Sequence, residues 1–224
     1  MKAKAVGRAT GVGGTGIDEG YTKFTVHWHD RRPVEHDAVA ELDRWRRPLY
    51  EAGLVGEYAE LGIGYGNISV RVGAGREFLV SGTRTGHVAH TGAEHYALVM
   101  DYDIDGNAVH CRGAVQASSE TLTHAAIYEL DPAIRAVVHV HDERLWQRLR
   151  GRAPTTRDNV AYGTPEMARE FGRLWRETAF PEERLAVMGG HESGLVAIGG
   201  SLAEAAGRVL AAHAALDRTK EETG

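Results

Sequence analysis

His139 and His141 stand two residues apart in the run IRAVVHVH (134–141). In an extended strand, residues i and i+2 project from one face, so a single strand can offer two imidazoles to one divalent ion. The run is otherwise apolar, as an internal strand is, and burying two unpartnered rings there would cost roughly a few kcal/mol. The plain alternative is a solvated strand end, because His-x-His is short and common. Zinc needs three or four ligands. The best third candidate is His191 in GGHESG (189–194), where flanking glycines let the backbone approach another element closely. Taken alone, His191 reads as a surface turn.

Glu120 lies nineteen residues before His139, in SSETLTHAAIYEL (118–130). The stretch reads as a helix with Ser118 or Ser119 as N-cap and Glu120 in the first turn. The helix dipole favours a carboxylate there in any protein. The same helix start offers backbone N–H groups and two hydroxyls to an anion such as phosphate. His124, one turn further on, shares a face with Glu120 and either orients it or packs. The glycine-rich stretches GIGYGNISV (62–70) and GTRTG (82–86) can each turn backbone N–H groups toward an anion, although either alone is an ordinary hairpin turn.

The positioning elements follow from pattern. Tyr21 to His29 alternates like a half-buried strand ended by Pro33. Residues 35–52 read as an amphipathic helix with Val39, Leu42, Trp45 and Leu49 on one side, kinked or shortened by Pro48. Strands are expected at the end of 61–72 and over 76–82, a short helix over 91–100, and two strands around Asp105-Gly106-Asn107. After the helix at 118–130 and the strand at 134–141, a loop leads to a helix over 164–178 with Pro165 in its first turn. Two strands flank the Gly-Gly-His turn in 184–200. An alanine-rich helix closes the chain over 201–216, and the polar tail 217–224 is expected to fray. One α/β domain with a largely antiparallel central sheet fits this order.

Composition sets bounds. The chain has 224 residues, 42% hydrophobic and 25% charged, with net charge −5. That suits one globular domain and gives no basic surface for nucleic acid or an anionic membrane. No apolar run reaches the ~18 residues of a membrane span. One cysteine, Cys111, excludes an internal disulfide. Residues 1–16 are basic and then glycine-rich, with no hydrophobic segment of a secretory signal, and a reducing cytoplasm is the expected compartment. GVGGTG (11–16) has dinucleotide-loop spacing, but no strand precedes it and a poor helix follows.

In order, GNISVR (66–71), SGTRTG (81–86), SSETLTHAAIY (118–128), AVVHVH (136–141) and HESGLVAIG (191–199) resemble the class II aldolase/adducin family from about residue 38 to 212. The resemblance implies a three-layer α/β/α sandwich over 35–216, with an N-terminal arm and strand (1–34) outside the match. It implies a homotetramer with sites at subunit interfaces. It further implies Zn2+, with Fe2+ or Mn2+ as alternatives, held by His139, His141 and His191, and Glu120 as proton carrier. Gly66, Asn67, Thr85, Gly86, Ser118 and Ser119 would bind the phosphate of a small-molecule substrate. The implied reaction makes or cleaves a C–C bond in a hydroxyketone through a metal-stabilised enediolate. A dehydratase or epimerase on the same fold, or a non-catalytic adducin-like binding module, are the alternatives. Glu120 resembles the aldolase and dehydratase branches rather than the epimerases, which typically carry Asp there. Departures from the family pattern are the residues inserted in His191-Glu192-Ser193-Gly194, the longer SGTRTG loop in which Ser81 or Thr83 could replace Thr85, and the lack of any tyrosine after Tyr162, which falls near a family aromatic.

Overall fold

The computed structural model describes residues 22–221, so the GVGGTG stretch lies outside the described residues. In chain order the elements are β1 (Thr25–Trp28), α1 (Ala38–Glu51), β2 (Gly56–Tyr58), β3 (Ile63–Tyr65), β4 (Asn67–Arg71), β5 (Phe78–Ser81), β6 (Tyr96–Asp103), β7 (Ala108–Arg112), α2 (Thr121–Leu130), β8 (Ala136–His141), α3 (Glu143–Leu149), α4 (Pro165–Glu177), α5 (Phe180–Glu183), β9 (Leu185–Val187), β10 (Gly194–Gly199) and α6 (Leu202–Glu221). Eight strands form one sheet in the order β1-β7-β6-β5-β4-β8-β10-β9, and β2 pairs with β3 in a separate hairpin. The large sheet is mixed: β1 joins β7 in parallel, and the other ladders are antiparallel.

Alternation along the strands feeds two apolar clusters. Val137 of β8 joins Leu122, Ala125 and Ile127 of α2 and Met167, Phe171 and Leu174 of α4 in one of them. Ala136, Val138 and Val140 join Leu42 and Leu49 of α1 and Leu202, Ala205 and Val209 of α6 in the other. With a side-chain period of two, His139 and His141 share the face of Val137, toward α2. All six residues of β8 are buried, because the strand lies between β4 and β10. The solvated strand end is thereby excluded.

Several expectations need correction. The short helix expected over 91–100 is a single 3-10 turn, Ala93–His95, followed by β6. YALVMDYD alternates between the two clusters, and pairing with β5 and β7 overrides its helical reading. The loop expected after β8 contains α3, started by Asp142, whose carboxylate accepts from the Leu145 N–H at 3.0 Å. Helix α2 begins at Thr121, one or two residues later than Ser119 or Ser118 as cap would have it: Glu120 occupies the N-cap position, without a side-chain capping bond. Pro48 sits inside α1, which runs on to Glu51. Helix α6 continues past 216 to Glu221, so the tail does not begin where its composition changes.

Candidate active site

The three histidines meet. Nε2 of His141 lies 3.2 Å from Nε2 of His139 and 3.1 Å from Nε2 of His191, and all three side chains are buried. Strand β8 supplies two of them from one face. The third comes from the turn between β9 and β10, which is fixed at several points. The indole N–H of Trp146 on α3 donates to the Met188 carbonyl at 2.9 Å, and the His191 N–H donates to the same carbonyl at 3.1 Å. A Cβ on Gly194 would lie 2.6 Å from His191 Cδ2, so only glycine lets β10 start against that ring. The extra residues Glu192 and Ser193 fit inside the turn, with Ser193 at φ 65°.

Electrostatics keep the rings neutral. Burial holds His139 at about 3, with the neighbouring His141 adding to the effect, and burial holds His141 at about 3. Burial, then His141, His139 and Lys23, push His191 well below the ordinary histidine range. A metal ligand must be unprotonated. The ring N–H at His139 Nδ1 donates to the Leu195 carbonyl at 3.0 Å, which leaves the Nε2 lone pair facing the other two rings. Nδ1 of His141 lies 3.4 Å from the Tyr58 hydroxyl.

This donor set fits a divalent ion. Two nitrogens each bound to one zinc at ~2.05 Å and a tetrahedral angle lie ~3.3 Å apart, close to the two short separations here. Among the described residues, these three form the one cluster of at least three His, Cys, Asp or Glu side chains with ligand atoms within 4.8 Å of one another.

Beside the cluster lies a cavity of about 290 Å³, lined by Gly66, by Asn67 at the start of β4, by residues 82–86, by Ser118, Ser119 and Glu120, and by Tyr162. Gly66, Asn67, Thr85, Gly86, Ser118, Ser119 and Glu120 therefore all border one space. Asn67 pairs directly with His139 across the β4–β8 ladder, and the Tyr162 ring lies 4.5 Å from the His191 ring, which joins the cavity to the histidines. Ser118, Ser119 and Glu120 are buried. Of Ser81, Thr83 and Thr85, the two threonines border the cavity. Ser81 accepts from the Ile68 N–H at 3.1 Å, and the Thr85 hydroxyl donates to the Gly82 carbonyl at 2.8 Å. Thr85 thus offers the cavity chiefly backbone.

His124 packs rather than reaching for Glu120: its Nδ1 lies 2.7 Å from Ser69 Oγ, which in turn lies 2.7 Å from the Tyr128 hydroxyl. Cys111 is buried in β7, with its thiol pushed up by burial, the opposite of an activated nucleophile. Pattern reading missed Lys23, whose ammonium sits 3.7 Å over the Tyr162 ring, and Arg46, buried on α1 behind the 85–88 loop. Lys23 carries no sequence signal. Arg46 does, since Leu42, Arg46 and Leu49 follow the helical period and place a guanidinium in the apolar stripe.

A family model for the class II aldolase and adducin N-terminal domain matches residues 49–217. The chain belongs to that family. Among solved structures it is similar to L-fuculose-1-phosphate aldolase from Thermus thermophilus, at 21% identity over 83% of this chain and 96% of that one, TM-score 0.57. It is also similar to a sugar-phosphate aldolase from Thermotoga maritima, at 18% identity over 81% and 92%, TM-score 0.60. YgbL from Escherichia coli, described as an aldolase/epimerase/decarboxylase candidate, aligns at 19% identity over 78% and 84%, TM-score 0.57. At these identities the likeness is one of fold. A search of curated proteins returned no match.

Proposed function

We propose that this protein is a zinc-dependent aldolase that makes or cleaves a C–C bond in a small phosphorylated hydroxyketone, with His139, His141 and His191 as ligands and Glu120 as proton carrier. The observation that carries the reading is the convergence of three neutral imidazoles beside a cavity bordered by a buried carboxylate and several backbone-rich loops. Three nitrogen donors with an open position suit catalytic zinc. Apolar clusters on both faces of the sheet, each with its own helices, support the three-layer α/β/α arrangement.

The chain's own residues divide the work. The start of α2 with Ser118 and Ser119, together with Gly66, Asn67, Thr85 and Gly86, grips the phosphate by backbone N–H groups, hydroxyls and an amide, so that the reacting carbons are held in line. A bound divalent ion supplies Lewis-acid polarisation of the carbonyl and hydroxyl oxygens. Glu120, whose peptide N–H lies 3.5 Å from Ser118 Oγ, takes the proton from the carbon next to the carbonyl in the aldol direction and returns it after cleavage. Tyr162 closes the cavity wall against His191 and limits water there. The family resemblance also carries the homotetramer into this reading, and the mass of the assembly in solution tests it.

The test is metal content per chain on untagged protein, followed by a screen of ketose phosphates for retro-aldol cleavage. About one zinc per chain together with release of an aldehyde supports the reading. Iron or manganese in the same ratio corrects the metal. Full metal occupancy with loss of water or inversion at one carbon, and no cleavage, moves the chain to the dehydratase or epimerase chemistry. Failure to bind any of the three metals overturns the reading.

A further inference from the structure

Helix α1 contributes no atom to the cavity lining, yet one side chain from it is buried against the back of the cavity wall. Arg46 is 1% exposed, the largest fully buried side chain among the described residues. Its Nη2 donates to the carbonyls of Thr85 at 2.9 Å and Gly86 at 3.2 Å, and its Nη1 donates to the carbonyl of Val88. One helical turn on, the Tyr50 hydroxyl donates to the His87 carbonyl at 3.3 Å. Carbonyls 85 to 88 therefore all turn toward α1.

That arrangement is expensive. Burial drives the Arg46 pKa below its ordinary value, its hydrogen bonds go to carbonyls rather than to a carboxylate, and its Nε is buried without a hydrogen-bond partner among the described residues. A methionine in the same stripe would pack without those costs. A planar fork with five donors can span several carbonyls at once, which lysine cannot.

The consequence lies on the opposite side of each peptide. In a trans peptide the C=O and the following N–H point opposite ways, and no cis bond occurs among the described residues. With the Thr85 and Gly86 carbonyls held at the guanidinium, the N–H groups of Gly86 and His87 face away from it. Gly86 borders the cavity, and a Cβ on the neighbouring Gly64 would come within 3.4 Å of the Gly86 nitrogen. Two successive amides turned to one side make an anion-binding concavity.

We infer that Arg46 is the positioning residue of the anion site: from behind the wall it holds the carbonyls of Thr85, Gly86 and Val88 away from the cavity, so that the Gly86 and His87 amides face the substrate's phosphate. The inference rests on the proposed phosphate grip, and it deepens that reading by naming what preorganises it.

The experiment uses the zinc-loaded full-length chain with inorganic phosphate as probe. Affinity is measured by calorimetry, and the Gly86, His87 and Ser119 amide protons are followed by NMR. In the wild type, phosphate shifts all three amides. Arg46→Met is expected to retain zinc and bind phosphate about tenfold more weakly, as when one or two charged-group hydrogen bonds are lost. Its Gly86 and His87 shifts disappear while the Ser119 shift remains. Arg46→Lys, which keeps the charge and stands in if the methionine variant does not fold, should fall between the two. A purely structural role would lower the thermal midpoint and leave phosphate affinity and all three shifts unchanged, which overturns the inference alone. A wild type that binds no phosphate removes the anion grip itself and the inference with it.

Discussion

The two walls of the site are built on opposite plans. The histidine wall stands on β8, an internal strand whose residues are all buried, and on the turn that leads into the equally buried β10, and it presents side chains, two of them aimed by the sheet itself. The proposed anion wall stands on loops and on the start of α2, and it would work largely through backbone N–H groups, whose directions the few hydrogen bonds inside the 82–88 loop fix only in part. The first wall needs correct strand pairing for His139 and His141 and an anchored turn for His191. The second needs outside restraint, which α1 supplies through Arg46, Tyr50 and Asp43, whose carboxylate accepts from the Thr91 N–H at 2.6 Å. In the proposed reading, metal ligation, which tolerates little error, falls mainly on a strand buried within the sheet, whereas substrate recognition falls where loops can vary.

Four measurements can break or sharpen this contrast. The largest effect is expected from His139→Ala, which removes the ligand shared by the β8 ladder and the Leu195 hydrogen bond. Metal content should fall from about one per chain to near zero, with activity below ~0.1% of wild type, because two imidazoles do not retain zinc against dilution. Retention of metal and activity would dissolve the histidine wall as a site. Glu120→Gln comes next. It keeps shape and metal but removes the proton carrier, so turnover should drop by roughly 10²–10⁴ at unchanged zinc content. A fall of less than about threefold would assign the proton to another group.

Acid should act on the histidine wall first. Folded His139 and His141 sit at about 3 against an ordinary 6.5. Below pH 6.5 the unfolded chain takes up protons that the folded chain refuses, so stability of the metal-free protein falls as pH drops toward 3. Urea midpoints at pH 7, 5.5 and 4.5 follow this. A His139→Asn/His141→Asn variant should show a shallower decline over the same window, and an equal slope would place the acid sensitivity elsewhere. The smallest effect belongs to the anion wall. Ser119→Ala should weaken phosphate-bearing substrates about tenfold in KM, the worth of one hydrogen bond to a charged group, with kcat for the bound substrate and metal content nearly unchanged. A change in kcat alone would move Ser119 from binding to chemistry.

The chemistry-bearing residues were legible because their local patterns are strong. His-x-His in an apolar run gives one face from the strand period alone, and SSE before a helical run gives a helix start. The elements that failed to read were those where tertiary context overrode local preference. YALVMDYD became an eight-residue strand because β5 and β7 lie on either side of it. The segment after β8 is the exception, since α3 starts at a local cap, Asp142, that its sequence already carried. Arg46 was readable as a cation out of place in an apolar stripe, but its purpose was not, since the carbonyls it holds lie about forty residues away along the chain.

Sequence by itself determined the kinds of group available, the strand and helix that carry them, and the membership of the family, because these depend on period, caps and order along the chain. Only the tertiary structure decided that His191, fifty residues beyond His141, closes the cluster at 3.1 Å, that six candidate binding residues from three segments border one cavity, and which way the loop amides face. Those are distances between chain segments, set by sheet order and by the packing of α1 and α2 against it, and no local pattern encodes them.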